Sequence, residues 1–127
     1  MEAPAPTALI VDDKASERIA ARRMLQRLGW KSVPVTSGEK AIEQLRQRRF
    51  DLVLLDLEMP GLGGEETCRR IRAQLAMADV AIVACIAHGV PGEREKLRES
   101  GFDSVLVKPV AFEDLRRLCV ELGHAGR

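Results

Sequence analysis

Aromatic side chains are scarce in this 127-residue chain: Trp30, Phe50, Phe102 and Phe112 are the whole set, and there is no tyrosine. A platform on which single-stranded nucleic acid stacks its bases is therefore not expected. A surplus of one charge is also missing. Twenty Lys+Arg face nineteen Asp+Glu, a net charge of +1, without the basic excess of a nucleic-acid-binding domain. No apolar run approaches the ~18–20 residues that span a bilayer. The segment from Met1 to Thr7 has no basic stretch followed by an apolar one, so no secretory signal is expected. Three cysteines, Cys68, Cys85 and Cys119, are too few and too scattered for a disulfide framework or a zinc site. All three sit in apolar sequence, as buried thiols do. A reducing, cytoplasmic setting fits, with no direct nucleic-acid or membrane partner.

What remains is ordinary for one globular domain: 46% hydrophobic and 31% charged residues, enough to close a core of its own. Four short apolar runs are continuous: Ala8 to Val11, Leu52 to Leu55, Ala81 to Ile86 and Val105 to Val107. Continuous runs mark strands buried on both faces, as in a parallel sheet. A fifth candidate, Lys31 to Val35, alternates and contains Pro34, which cannot donate to a ladder, so it reads as an edge strand. Amphipathic stretches lie between. Ala21, Met24, Leu25 and Leu28 form a helical stripe closed by Gly29, and Leu115, Leu118, Cys119 and Leu122 form another before Gly123. Ser37 is placed to cap a helix carrying Ala41, Ile42 and Leu45. Cys68, Ile71 and Leu75 mark a further stripe. The helix from Pro91 to Ser100 is weak, with Leu97 its one strong apolar residue. Five βα units with right-handed crossovers make an open parallel sheet covered on both faces. In such a sheet the site lies beyond the carboxyl ends of the strands.

Those ends carry the chemistry. The first strand ends in Asp12-Asp13, the third in Asp56, and the fifth in Lys108-Pro109. Carboxylates gathered at one edge raise one another's pKa unless a cation sits among them, and an all-oxygen donor set suits Mg²⁺. A single aspartate is most simply a loop or cap residue; matched strand ends are not. Gly61-Leu62-Gly63-Gly64 is no dinucleotide fingerprint, because Glu66 stands where that motif needs glycine.

The ordered set Leu9 to Asp13, Asp51 to Gly61, Gly64 and Val107-Lys108-Pro109 resembles the receiver (response-regulator) domain of bacterial two-component signalling. The resemblance runs from about Thr7 to Leu122. It implies a flavodoxin-like, doubly wound five-stranded parallel sheet in the order 2-1-3-4-5 with five helices, over residues 7–122, with short tails at 1–6 and 123–127. It further implies that Asp56 is the phosphoacceptor, serving a histidine kinase or histidine phosphotransfer protein. Asp12, Asp13, Asp56 and the backbone carbonyl of Glu58 would hold Mg²⁺. Lys108 and the Ala87 backbone N–H would bind phosphoryl oxygens, and Pro109 would follow a cis peptide. Such a domain stands alone or belongs to a longer regulator or hybrid kinase, and it catalyses only its own phosphorylation and dephosphorylation.

Two positions depart from the family pattern. Ile86 stands where a Thr or Ser hydroxyl is usual, and Val105 stands where Tyr or Phe is usual. Both halves of the common switch are replaced, which keeps a second function in view: a pseudo-receiver that docks without phosphorylation. An aspartyl phosphatase is disfavoured, since its second aspartate would fall at Glu58 and no cap domain fits in this length. Glu58 and His88 are expected on the rim of the site. The arginines of the first helix (Arg18, Arg22, Arg23, Arg27) read as a solvated surface. Lys14, Glu17 and Ala20 are expected on the face that meets the phosphodonor.

Overall fold

Strands and helices alternate strictly through the chain, because each buried apolar run is followed by an amphipathic one that returns over the sheet. The computed structural model describes residues 4–75, 79–87, 89 and 92–123. Its strands are β1 (Thr7–Val11), β2 (Lys31–Val35), β3 (Leu52–Asp56), β4 (Ala81–Ile86) and β5 (Ser104–Val107). Its helices are α1 (Ala15–Arg27), α2 (Gly38–Gln47), α3 (Gly64–Gln74), α4 (Glu93–Glu99) and α5 (Phe112–Glu121). All strand pairs are parallel, in the order β2-β1-β3-β4-β5. The chain moves one way from β1 to β2 and the other way from β3 onward, so the switch point lies between β1 and β3. The Pro34 strand is at the edge, as its missing donor requires.

The inner strands bury both of their faces, whereas the edge strand β2 buries only Val35. Leu9, Val11, Val53, Leu55, Ile82 and Ala84 join Ala41, Ile42, Leu45, Cys68, Ile71 and Leu97 in one core. Ala8, Ile10, Leu52, Leu54, Val83 and Leu106 join Leu25, Leu28, Trp30, Leu115, Leu118 and Cys119 in the other. The period-2 alternation of the strands divides neighbouring residues between the two. All three thiols are buried, and burial pushes the Cys85 thiol up to about 12.

The helix boundaries follow local signals. Ser37 caps α2, its hydroxyl accepting the Lys40 N–H at 3.2 Å. Gly29 has φ +84° beyond α1, where the Trp30 N–H closes the turn on the Leu25 carbonyl. Within α1, Leu25 is buried, while Ala21 and Met24 of the same stripe are only partly so. Both line a cavity of about 190 Å³ whose walls also include Asp12, Glu17, Asp56 and Lys108. The weak fourth helix is shorter than its sequence suggests: it begins after Gly92, at φ +85°, and Ser100 closes it. The predicted start at Pro91 lies outside the described residues, as do His88 and residues 1–3 and 124–127 of the expected tails.

Gly64 positions the loop that follows β3. A Cβ there would stand 2.7 Å from the Asp56 carbonyl oxygen and from Leu57 Cα, closer than real contacts allow. The first turn of α3 therefore lies directly against the backbone that carries Asp56.

Candidate functional site

β1 and β3 are neighbours in register, Val11 beside Leu55, so Asp12 and Asp56 emerge side by side. Asp56 is 1% exposed and Asp12 6%. Asp13, next to Asp12, faces solvent beside Lys14 (Nζ to Oδ1 3.5 Å). Carboxylate oxygens of Asp12, Asp13 and Asp56 all come within 4.8 Å of one another. The Asp12 Oδ1 accepts the Lys14 backbone N–H at 2.9 Å, and the Arg18 guanidinium donates to the Asp12 carbonyl at 2.9 Å. The Glu58 N–H donates to Asp56 Oδ1 at 3.1 Å.

Lys108 enters from β5, where its backbone N–H donates to the Ile86 carbonyl at 2.7 Å and its peptide to Pro109 is cis. Its ammonium lies 2.9 Å from Asp56 Oδ1, 3.3 Å from Asp12 Oδ2 and 2.8 Å from Glu17 Oε2. Two of the ammonium N–H groups donate to Glu17 and Asp56, and Asp12 completes the network as an ion pair. Burial pulls the Lys108 pKa down. The bonds to Glu17 and Asp56 and the charge of Asp12 outweigh it, so the ammonium is held above its ordinary value. Burial is also the largest influence on Asp12; with the Glu17 hydrogen bond and the Asp56 charge it raises that carboxyl to about 6. The bond to Asp12, followed by that to Lys108, lowers Glu17.

The arrangement fits a divalent cation on its own evidence. Asp56 Oδ2 is buried with no hydrogen-bond partner among the described residues, which is costly for a carboxylate oxygen unless a cation meets it. Three carboxylates form the all-oxygen donor set that Mg²⁺ prefers. Because a ligand must be deprotonated, Mg²⁺ affinity should hold steady above about pH 7 and fall as Asp12 takes up its proton below about pH 6. Calorimetric titration at several pH values checks this; an affinity unchanged from neutrality to about pH 5 would contradict it.

The sequence placed Asp12, Asp13, Asp56 and Lys108 at one edge, and the structure brings them together. Ala87 follows β4 directly at the same edge, half-buried. Ile86 and Val105 are both buried in the core that holds Leu97 and Phe102. Two readings of the first helix change. Arg18 and Arg27 are not simply solvated: one braces Asp12, and the other stacks on the Phe112 ring at 3.9 Å. Glu17, expected only on the docking face, belongs to the ion network of Lys108. Its signal was its place four residues after Asp13, in the first turn of a helix that starts at the strand ends.

Fold and site together define an open α/β domain with an acidic cleft and a lysine at its topological switch point. The chain belongs to the response regulator receiver domain family, whose model matches residues 8–119. It is 34% identical over 120 residues to the sensor protein GacS of Pseudomonas syringae, covering 92% of this chain and 13% of that protein. It is 35% identical over 114 residues to the virulence sensor protein BvgS of Bordetella pertussis, covering 86% of this chain and 9% of that protein. The chain thus spans only a small part of these curated relatives. Among solved structures, the Vibrio cholerae chemotaxis protein CheY4 superposes with a TM-score of 0.86 at 25% identity, covering 94% of this chain and 99% of that one. The receiver domain of the Pseudomonas aeruginosa sensor histidine kinase PA1611, with magnesium in its active-site cleft, superposes at 0.84 with 30% identity and the same coverage.

Proposed function

We propose that this chain accepts a phosphoryl group on Asp56 from a histidine kinase or histidine phosphotransfer protein, in the cytoplasm. The observation that carries the reading is Asp56 itself: a buried carboxylate with one oxygen unpartnered among the described residues, beside two further aspartates and a lysine. Asp12, Asp13, Asp56 and the Glu58 backbone carbonyl would hold Mg²⁺, which when bound supplies positive charge to the transferring phosphoryl oxygens. An Asp56 oxygen attacks phosphorus while the bond from phosphorus to the donor nitrogen breaks. The Lys108 ammonium and the Ala87 N–H take the developing charge on the equatorial oxygens. The chain therefore catalyses only its own phosphorylation and, by admitting water to the same site, its dephosphorylation. Residues 7–122 form the working unit. Its sensor-kinase relatives support a place in a phosphorelay, within a longer kinase or beside one. Labelling by a small phosphodonor, with and without Mg²⁺, tests the chemistry, and phosphotransfer profiling against histidine kinases identifies the partner. Mg²⁺-independent labelling, or none under either condition, would refute the reading.

Ile86 and Val105 support a second element of the proposal, that signal leaves this domain by an unusual route. A hydroxyl that bonds a phosphoryl group is worth about 1.5–3 kcal/mol of differential contact, enough to shift a two-state equilibrium tenfold or more. Ile86 has no hydroxyl, and a ligand shifts an equilibrium only through differential interaction. Val105 is buried in the same core as Ile86, and this aliphatic pair should hold the face of α4, β5 and α5 near one conformation. A phosphoryl mimic on Asp56 should perturb that face little, and Ile86→Thr with Val105→Tyr should enlarge the response. Amide exchange with and without the mimic reads this directly; a large change centred on Val105 in the parent would refute it. A parent that docks its partner equally well with and without label would favour the pseudo-receiver function.

A further inference from the structure

Glu17 is the one carboxylate of the Lys108 network that the phosphoacceptor chemistry leaves unused. Its Oε2 lies 2.8 Å from Lys108 Nζ, slightly closer than Asp56 Oδ1 at 2.9 Å and clearly closer than Asp12 Oδ2 at 3.3 Å. Lys108 is largely buried, with 17% of its side chain exposed; it donates hydrogen bonds to Glu17 and Asp56 and pairs with Asp12. A phosphoryl oxygen that approaches this ammonium therefore competes with the carboxylates that already engage it. Glu17 is held from α1 and belongs to neither the acceptor strand nor the aspartate pair, so it competes for Lys108 from outside the reacting groups.

We propose that Glu17 regulates this site through Lys108, restraining phosphoryl acceptance at Asp56 while favouring the divalent cation. The proposal rests on the phosphoacceptor reading and adds a positioning residue to it. Two physical effects act together on each process. For an anionic phosphodonor, Glu17 adds a repelling charge and occupies a Lys108 N–H that would meet a phosphoryl oxygen. For Mg²⁺, Glu17 adds an attracting charge and draws Lys108 away from Asp12 and Asp56, the carboxylates the cation needs. Removing its charge should therefore move the two processes in opposite directions. A role confined to the helix does not predict this: a carboxylate in the first turn of α1 favours the helix N-terminus, and its loss lowers stability without separating donor from cation.

The test compares the parent with Glu17→Gln and Glu17→Asp, using Mg²⁺ alone in calorimetry and acetyl phosphate at saturating Mg²⁺ for labelling. In the labelling reaction an Asp56 oxygen forms a bond to phosphorus, and the bond from phosphorus to the acetyl oxygen breaks, with acetate leaving on its electron pair. Glu17→Gln should bind Mg²⁺ about threefold to tenfold more weakly and take label about threefold to tenfold faster. The labelling gap should close between about 0.01 M and about 1 M salt, as screening removes the repulsion. Glu17→Asp keeps the charge and should stay nearer the parent than Glu17→Gln in both measurements. A Glu17→Gln protein that labels no faster than a labelled parent overturns the proposal alone, as does one with unchanged Mg²⁺ affinity. A parent that takes no label at all overturns the phosphoacceptor reading and the proposal with it.

Discussion

Asp56→Asn is expected to lose all phosphoryl label and yet to melt at a higher temperature than the parent in EDTA. The first result follows from removing the nucleophilic oxygen, since the amide cannot form the acyl phosphate. The second follows from the charge balance of the site. Asp56 is 1% exposed, one of its oxygens has no hydrogen-bond partner among the described residues, and its charge helps to raise the Asp12 carboxyl to about 6. Removing a buried ion usually costs stability because the partner is left unpaired. Here the partner is not left unpaired, because Lys108 keeps Asp12 and Glu17. The neutral side chain relieves repulsion at little loss, for a gain of about 1–2 kcal/mol, or roughly 3–8 °C in Tm. Mg²⁺ should narrow or reverse the difference, because it stabilises the parent by binding the folded state. Thermal melts of both proteins in EDTA and in Mg²⁺ check this; a lower Tm for the variant in EDTA would contradict it.

Lys108→Ala should behave in the opposite way. Without the ammonium, the buried Asp56 and Asp12 have no cation between them, and Glu17 adds a third charge nearby. The loss in EDTA should be about 2–3 kcal/mol, less than for a fully enclosed pair because the lysine is partly open to water. Saturating Mg²⁺ should restore most of that stability, since the cation supplies the missing charge. It should not restore phosphotransfer. The charge aimed at the phosphoryl oxygens is gone, and labelling should fall by about 10²–10³-fold at any Mg²⁺ concentration. Recovery of stability and labelling together would reduce Lys108 to a structural ion pair. A variant as stable as the parent in EDTA would show that the aspartates do not depend on it.

The chemistry of this protein was legible in its sequence because parallel strands present all their carboxyl ends at one edge. Four continuous apolar runs marked strands buried on both faces, so whatever followed three of them, Asp12-Asp13, Asp56 and Lys108, had to share that edge. Ser37 and Gly29 were legible for a similar reason: a helix cap and a left-handed turn are decided within a few residues. Distances across the edge were not, because they depend on strand order. Asp12 and Asp56 adjoin because β1 and β3 pair, whereas β5 lies beyond β4 and only a side chain as long as lysine spans that strand to reach Asp56. The placement of α1 decided that Glu17 would join Lys108 and that Arg18 would brace Asp12. Helix periodicity shows which residues share a face but not how the helix turns that face toward strands far away in sequence. Burial then decided the electrostatics: the same carboxyl that is ordinary in an open loop becomes, behind β1 and beside two other acids, one that holds its proton to about pH 6.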